Sequence, residues 1–427
     1  MTDLTDQENA LLEGKISLPE FIYKEISLEK RAENPEAAWF SELQQALWQP
    51  LLDAKKNGKK VIFFGGSVPL ELIYAFDCVP FFLDLIPLYL SSHPELVGQL
   101  SNLAEKDGGT NLCSLGKIEL GAALSKSLGA SPDAFIYAPV PCNSYSIIYD
   151  NLANMLAVPC FKFDMPSHRG QGSSAYVAMQ VESMIEFLEQ LCGEKLNWER
   201  VKPFMENSNL SYEMLTKCLE LRKISPCPLS GRLLAVNELI TAMAPDPKFS
   251  EFLQKELSLG TERAKAGQGA CKNEKYRVLL LQNSLWSVSE VMDWLEEKYG
   301  AITIMGEFAY KDSLRFENPD DREDSIRTMA QKAQNLPALH GAAGSSAHIL
   351  DTVGEIIGGF KPNVSIFLGH VGCRHTWASS KMLTDMIYDD FGLTTLYVDI
   401  DSFDGRYKSC DDIKYAIGEY METVVIK

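Results

Sequence analysis

Two spacings of hydrophobic residues divide the chain into helical and strand-forming stretches. In residues 1–60 the apolar positions Phe40, Leu43, Leu47 and Leu51 recur at intervals of three and four, the spacing of one helix face. Beyond residue 60, short apolar runs alternate with helical spacing, and such runs are typical of strands buried on both faces of a sheet. The predicted strands are Val61–Phe64, Ala134–Ala138, Cys160–Phe163, Tyr276–Leu281, Ile302–Met305, Val364–Leu368 and Thr395–Val398.

The order of these elements predicts an α/β protein with two doubly wound, parallel-sheet domains of the flavodoxin-like type. Residues 174–265 show helical spacing only, and residues 266–273 have the composition of a linker. We therefore predict four regions. They are a helical N-terminal region at 1–60, a first α/β domain at 61–173, a helical insert with its linker at 174–273, and a second α/β domain at 274–427.

Two stretches of the chain resemble each other. One begins at Asp133 and the other at Asn363, and each reads as strand, short loop, cysteine, helix and strand. The cysteine is Cys142 in the first stretch and Cys373 in the second. Both are predicted between the carboxyl end of a strand and a helix, where open α/β sheets bind ligands and free N–H groups favour a thiolate. The similarity has a second interpretation, because any two βαβ units share this order of elements.

The chain contains ten cysteines, and their spacing matches no CxxC or short-spaced zinc motif. Cys113 shares the setting of Cys142 and Cys373, because it lies at the start of a predicted helix, and Cys410 also precedes one. The other cysteines occupy positions typical of buried, inert residues: Cys78, Cys160, Cys192, Cys218, Cys227 and Cys271. Intervals of 29 and 231 residues separate Cys113, Cys142 and Cys373, so spacing alone identifies no metal site.

Composition and charge argue against several classes of function. The 427 residues include 58 acidic and 40 basic side chains, a formal net charge of −18. Nucleic acids and anionic membranes bind basic surfaces, so neither is an expected partner. No apolar run reaches the roughly 18 residues that span a bilayer, and the nearest, Val79–Leu90, contains Asp84 and two prolines. The acidic N-terminal segment lacks the features of a signal peptide, which predicts a cytoplasmic protein.

Eight short motifs, in order over about residues 36–425, resemble those of the 2-hydroxyacyl-CoA dehydratase and benzoyl-CoA reductase family. They are GGSVPLELIYAFDCVP, NLCSLGK, APVPCNSY, VPCFKFDMP, LRKISPCPLSG, EKYRVLL, GHVGCRHTWASSKM and VDIDSFDGRYKSCDDIKYAIGEYME. Each motif is weak alone, but the ordered set covers both predicted α/β domains and the helical insert.

The resemblance implies an iron–sulfur enzyme. Members of the family hold a [4Fe-4S] cluster on three cysteines, which correspond here to Cys113, Cys142 and Cys373. The absence of a fourth cysteine leaves one iron open to water or a substrate oxygen. The implied reaction removes water from an (R)-2-hydroxyacyl-CoA and yields a 2-enoyl-CoA. It proceeds through a ketyl radical, formed by adding one electron to the thioester carbonyl, and the electron is returned at the end.

The resemblance also implies partners. They are a homologous second dehydratase subunit, an ATP-hydrolysing activator with its own iron–sulfur cluster, and the acyl-CoA substrate. The activator is expected to be a separate protein, because this chain contains no GxxxxGK[ST] phosphate-binding loop. The apolar run Val79–Leu90 is a candidate contact with the second subunit.

Further residues are candidates for the site. Ser67 resembles a family serine near the substrate carbonyl or the leaving hydroxyl, and its alternative role is the N-cap of a helix predicted over Val68–Phe76. Glu71 is a candidate catalytic base, or a first-turn acid that complements the helix dipole. The candidates for binding the thioester or the CoA phosphates are the basic residues around the third cysteine: His370, Arg374 and His375.

Two other functions are consistent with the same motifs. The first is an ATP-dependent reductase of the family, acting on an aryl-CoA or a small molecule, in which the electrons stay in the product. A related alternative is a double cluster that recruits Cys78, Cys160 or Cys410. The second is a non-catalytic subunit that relays electrons or stabilises its partner. The tryptophan and histidines beside Cys373 favour the substrate-bearing subunit.

Overall fold

The protein is described from a computed structural model, in which the chain forms two compact units. The residues described are 4–29, 35–129, 131–140, 142–166, 171–240, 243–282, 290–309, 314–335 and 346–426. Unit 1 comprises Met1–Ser211, Ala242–Phe252 and Leu314–Gln334. Unit 2 comprises Tyr212–Thr241, Leu253–Ser313 and Asn335–Lys427. Residues 174–273, predicted as one insert and linker, therefore divide between the two units.

All seven predicted strands form, and the described residues contain an eighth, at Val79–Phe82, that the sequence pattern did not predict. The strands are β1 (Val61–Gly65), β2 (Val79–Phe82), β3 (Ala134–Tyr137), β4 (Cys160–Lys162), β5 (Tyr276–Gln282), β6 (Ala301–Met305), β7 (Val364–His370) and β8 (Thr395–Ile400). The first helices are α1 (Asp6–Leu12), α2 (Leu18–Glu29), α3 (Pro35–Asp53), α4 (Leu70–Ala75), α5 (Leu85–Leu90), α6 (Pro94–Lys106), α7 (Ser114–Leu124), α8 (Asn143–Leu156) and α9 (Gln171–Cys192). The later helices are α10 (Lys202–Leu221), α11 (Gly231–Ile240), α12 (Pro247–Lys265), α13 (Glu290–Tyr299), α14 (Arg322–Gln334), α15 (Ser346–Phe360), α16 (Arg374–Phe391) and α17 (Cys410–Tyr420).

Shorter turns complete the described structure. Turns of 3-10 helix cover Gly109–Asn111 and Trp198–Arg200, and a π-helical turn at Met421–Val425 follows α17. None of the helices in the described ranges is both long and apolar enough to cross a membrane.

Each unit contains one four-stranded sheet, and both sheets are wholly parallel. The strand order is β2-β1-β3-β4 in unit 1 and β6-β5-β7-β8 in unit 2, so the two units share one topology. The two stretches that resemble each other in sequence therefore form equivalent parts of the two sheets, β3-α8-β4 and β7-α16-β8. The predicted α/β class with doubly wound parallel sheets is confirmed.

Alternation along β5 shows why the sheet of unit 2 is covered on both faces. Val278 and Leu280 belong to one buried apolar cluster, and Leu279 and Leu281 belong to another. Successive side chains of a strand point to opposite faces, so each face has its own core. Helices α13 and α17 cover the first face, and α15 and α16 cover the second. A strand buried in this way needs apolar residues at every position, which is the pattern in the sequence.

The apolar run Val79–Leu90 has a different role from the subunit contact that we considered. It forms β2, which pairs with β1, and then α5. Its large side chains lie in the interior of unit 1, with Phe81 exposed by 2% and Leu83, Leu85 and Leu90 by 0%. A segment already buried in its own unit cannot offer these side chains to a second subunit, so that assignment is wrong.

A close backbone contact between α6 and α7 gives a test of this packing. A Cβ atom at Gly121 would overlap the carbonyl group of Leu100. Gly121→Ala should therefore force the two helices apart and lower the free energy of unfolding by about 1–3 kcal/mol. Gly172→Ala is the matched control in the same unit, because no atom lies within 4 Å of the added Cβ. Urea unfolding of both variants checks the packing, and equal stabilities would contradict it.

Candidate functional site

Cys113, Cys142 and Cys373 each occupy the N-cap position of a helix. They precede α7, α8 and α16 in turn, and each has an extended backbone conformation. The Sγ atom of Cys142 accepts the Ser144 N–H at 3.3 Å, and Sγ of Cys373 accepts the Thr376 N–H at 3.5 Å. Free N–H groups at a helix start stabilise negative charge, so these positions favour the thiolate that binds metals. The predicted setting of the three cysteines is confirmed.

An aromatic side chain packed on a glycine holds the strand end in both units. In unit 2, an added Cβ at Gly369 in β7 would overlap the Trp377 ring of α16, whose indole N–H donates to the His370 carbonyl at 3.2 Å. In unit 1, Gly65 at the end of β1 lies against Tyr149 of α8, whose hydroxyl donates to the Phe64 carbonyl at 2.9 Å. These contacts fix the helices that begin at Cys142 and Cys373 against the sheets.

The other seven cysteines have environments that favour the neutral thiol. Burial is the main cause that raises the pKa of each of them: Cys78, Cys160, Cys192, Cys218, Cys227, Cys271 and Cys410. Burial raises the pKa of the Cys160 thiol to about 12 and that of the Cys410 thiol to about 11. Ser409 is the N-cap of α17, so Cys410 lies one residue inside that helix. A metal ligand must lose its proton, and these seven sites oppose that loss.

The three N-cap cysteines divide between the two units. Cys113 and Cys142 belong to unit 1, where Gly116 of α7 packs against Ile148 of α8, so the helices that they begin are in contact. Cys373 belongs to unit 2. Among the described residues, no group of three or more His, Cys, Asp or Glu side chains forms a metal site. The helix-start positions fit the chemistry of thiolate ligands, and the common cluster stays a prediction.

Ser67 and Glu71 lie in unit 1 beside the end of β1, and both are buried. The N-cap of α4 is Pro69, so the interpretation of Ser67 as the cap of this helix is wrong. In the described part of the chain the Ser67 hydroxyl has no hydrogen-bond partner, and it remains available to a ligand. Glu71 is in the first turn of α4, as predicted.

The basic residues around Cys373 differ in how accessible they are. His370 is 3% exposed, and its Nδ1 accepts the Ser402 N–H at 3.3 Å while Asp401 lies 3.7 Å away. Burial lowers the pKa of His370, so the ring is neutral at pH 7, and its buried Nε2 has no partner among the described residues. Arg374 is exposed and His375 is half-buried. Of the three, Arg374 is best placed for a charged ligand.

A buried acid pair that we did not predict from the sequence lies next to α7 and α8. Tyr145 of α8 donates its hydroxyl to Asp84. Burial raises the pKa of Asp84 to about 6, and burial together with the charge of Asp84 raises the pKa of Glu119 far above its usual range. Two adjacent buried carboxyls cannot both ionise, so the pair holds a proton at neutral pH. Glu119 within the apolar helix SLGKIELGAAL was the available signal.

Two more buried ionisable groups were missed. Lys332 of α14 is in unit 1, and desolvation lowers its pKa to about 8. Glu307 of unit 2 accepts the Gln282 N–H at 2.6 Å, and burial raises its pKa to about 8. No sequence motif surrounds either residue. The pKa of each depends on neighbours from distant parts of the chain, so no local pattern predicts it.

Comparison with known proteins places these features in a family. The sequence model described as "2-hydroxyglutaryl-CoA dehydratase, D-component" matches residues 66–424. The alpha subunit of lactoyl-CoA dehydratase of Anaerotignum propionicum is 24% identical over 252 residues, which are 50% of this chain and 57% of that protein. This match therefore spans little more than half of that relative's length.

Two other relatives align over more of the chain. A benzoyl-CoA reductase subunit of Thauera aromatica is 21% identical over 405 residues, 88% of this chain and 91% of that protein. The (R)-phenyllactyl-CoA dehydratase alpha subunit of Clostridium sporogenes is 23% identical over 320 residues, 70% of this chain and 74% of that protein. The family resemblance carried by the motifs is confirmed, and it includes both dehydratase and reductase subunits.

The corrected position of Ser67 gives a stability test. Because its hydroxyl caps no helix, Ser67→Ala should change the free energy of unfolding by less than about 0.5 kcal/mol. Ser409→Ala is the control, because Ser409 is an N-cap whose Oγ accepts the Asp412 N–H at 3.1 Å, and its loss should cost about 1 kcal/mol. Urea unfolding measures both. A loss at Ser67 as large as that at Ser409 would mean that Ser67 has a structural role.

Proposed function

The chain belongs to the 2-hydroxyglutaryl-CoA dehydratase, D-component family, and we propose that it is the iron–sulfur subunit of an ATP-activated 2-hydroxyacyl-CoA dehydratase. The observation that carries the proposal is the shared N-cap position of Cys113, Cys142 and Cys373. The motif resemblance implies that the same three cysteines are the cluster ligands. In the other seven, burial keeps the sulfur protonated.

We assign the three cysteines as ligands of one [4Fe-4S] cluster. Such a cluster with three protein thiolates supplies single electrons and one open iron that acts as a Lewis acid. The role of this chain would be to hold the thiolates. The Ser144 and Thr376 N–H groups donate to the sulfurs of Cys142 and Cys373. The ring of Trp377, packed on Gly369, keeps the third of these helix starts in place.

We assign the acyl-CoA site to the residues that the motif resemblance singles out. The Ser67 hydroxyl, which has no hydrogen bond within the described residues, can donate to the thioester carbonyl or to the leaving hydroxyl. Glu71 is the candidate base that takes a proton from the substrate. Arg374 can bind a CoA phosphate, and His370 and His375 flank the same turn. The overall reaction converts an (R)-2-hydroxyacyl-CoA to a 2-enoyl-CoA and water.

The proposal includes partners. Each of the three relatives is named as one subunit of its enzyme, and two of them are named as alpha subunits, which implies a second kind of subunit beside them. We propose that this chain works in the cytoplasm beside a homologous second subunit. A separate ATP-hydrolysing iron–sulfur activator would supply the electron, because this sequence has no phosphate-binding GxxxxGK[ST] loop.

A reductase is the second candidate. The benzoyl-CoA reductase subunit aligns over 88% of this chain, the largest share among these three relatives. In a reductase the electrons remain in the product, whereas dehydration is redox-neutral. The two reactions therefore differ in how much reductant each turnover needs.

The first prediction concerns iron. Cys142→Ala and Cys373→Ala should each lose most of the iron in anaerobically purified protein, because each removes a proposed ligand. Cys192→Ala should keep it, because Cys192 is the last residue of α9 and its thiol pKa is raised by burial. Iron analysis of the wild type should give about four iron atoms per chain for a single cluster. Full iron in both Cys142→Ala and Cys373→Ala would refute the ligand assignment.

The second prediction concerns the reaction type. With partner and activator present, 2-hydroxyacyl-CoA dehydration should require ATP and reductant to start, yet consume much less than one equivalent of each per product. The reason is that the electron returns after water leaves, so one activation supports many turnovers. The measurement is ATP hydrolysed and dithionite oxidised per product over the time course. A constant ratio of one or more would identify a reductase instead.

A further inference from the structure

Two cysteines outside the proposed cluster are in contact in unit 1. The Sγ atoms of Cys78 and Cys192 lie 3.6 Å apart, and both residues belong to unit 1. They are 114 positions apart in the chain, so only the fold brings them together. The two sulfurs need to approach by only about 1.5 Å to reach the length of a disulfide bond.

The pair lies at the amino end of the sheet of unit 1. Cys78 immediately precedes β2, and β2 runs parallel to β1. Ser67 follows the opposite, carboxyl end of β1, and Cys142 follows the carboxyl end of β3, which is also parallel to β1. The length of these strands, about 13–16 Å, therefore separates Cys78 from the candidate functional site. The contact is a feature apart from the proposed cluster ligands.

Two thiols without further ligands make a poor metal site. Zinc sites and iron–sulfur clusters hold the metal with three or four protein side chains. In the ranges that the structure describes, no third histidine, cysteine, aspartate or glutamate joins Cys78 and Cys192 to make such a group. The reaction open to two thiols in contact is the formation of a disulfide by exchange with another disulfide.

The two sulfurs differ in how they can react. Cys192 is half-buried and is the last residue of α9, whereas Cys78 is 6% exposed. Burial raises the pKa of both thiols, and a hydrogen bond from the Cys78 S–H partly offsets this rise at Cys192. Cys192 is therefore the sulfur that meets an oxidant from solvent first, and Cys78 is the second thiol behind it.

We propose that Cys78 and Cys192 form a redox-active dithiol whose reaction partners are low-molecular-weight disulfides of the glutathione type. The Cys192 thiolate attacks one sulfur of the small disulfide, whose S–S bond breaks and releases one thiol. Cys78 then loses its proton and attacks the Cys192 sulfur, which releases the second small thiol. The two cysteines thus pass two electrons and two protons to the small disulfide, which becomes two thiols. This dithiol is independent of any acyl-CoA chemistry in the same chain.

The first experiment maps the bond directly. The anaerobically purified chain is incubated with glutathione disulfide, quenched with acid, alkylated with N-ethylmaleimide and digested without reduction, and the peptides are identified by mass spectrometry. The peptides of Cys78 and Cys192 should be recovered joined, and dithiothreitol should separate them. In Cys192→Ser the oxidation of Cys78 should fall at least about tenfold, because the buried thiol has lost the sulfur that receives the exchange.

Cys160→Ser is the matched control for this mapping. Cys160 is half-buried like Cys192, and the pKa of its thiol is also raised by burial. Its loss should leave the yield of joined peptides unchanged. Recovery of Cys78 and Cys192 from the wild type only as separate residues, alkylated or carrying glutathione, would overturn the proposal. This outcome can be read from the wild type alone, so it does not depend on the folding of any variant.

The second experiment measures stability. The bond would join the end of α9 to the start of the edge strand β2 and close a long loop. Because such a bond restricts the unfolded chain, oxidation should raise the melting temperature of the wild type by at least about 5 °C. Cys78→Ser and Cys192→Ser, treated in the same way, should show no such rise. An equal rise in both variants would mean that another pair of cysteines is responsible, and would refute the assignment.

Discussion

Free N–H groups at the start of each helix are the constraint on which the candidate site depends. Parallel strands covered on both faces are joined by helices that pack back on the sheet, so strand-to-helix turns gather at one edge. After β3 and β7 these turns carry Cys142 and Cys373 at the N-cap, and α7 begins in the same way at Cys113. The backbone thus offers the sulfurs of Cys142 and Cys373 a hydrogen bond in the partly positive environment of a helix start. A cysteine inside a helix or strand has no such N–H group to accept.

The close packing behind these turns holds the strand ends and the helices together. Trp377 lies on Gly369 and Tyr149 lies on Gly65, and each ring also donates a hydrogen bond to a backbone carbonyl. Any larger residue at either glycine would displace the ring and with it the helix that the cysteine begins. The two contacts use different strands: Trp377 packs on β7, which precedes its own helix, and Tyr149 packs on β1, the neighbour of β3.

The buried ionisable groups carry a cost that apolar residues of the same size would not. For Glu307 the ordinary pKa of 4.5 becomes about 8 in the folded chain, so the folded state holds a proton that the unfolded state releases. Its contribution to stability is therefore full below pH 4.5 and is lost as the pH rises through about 8. Lys332 behaves in the opposite sense: its contribution is full above pH 10.5 and is lost as the pH falls through about 8. Both groups oppose stability near neutral pH, which is a reason to look for a role beyond packing.

The sequence by itself determined the class of fold, the strands and the helix-start cysteines, because each of these depends on residues close together in the chain. A continuous apolar run predicts a strand covered on both faces wherever it occurs. The run Val79–Leu90 did not show where β2 ends and α5 begins, because apolar residues dominate both elements. Pro80 also counted against a strand, since proline in a sheet is confined to edge strands, and β2 is an edge strand. Only the tertiary structure showed that this run is interior, since an apolar segment looks the same in a core and at an interface. The proton held by Asp84 and Glu119 was likewise decided by folding. A pKa depends on burial and on neighbours through space, and residues from distant parts of the chain become neighbours only in the packed unit.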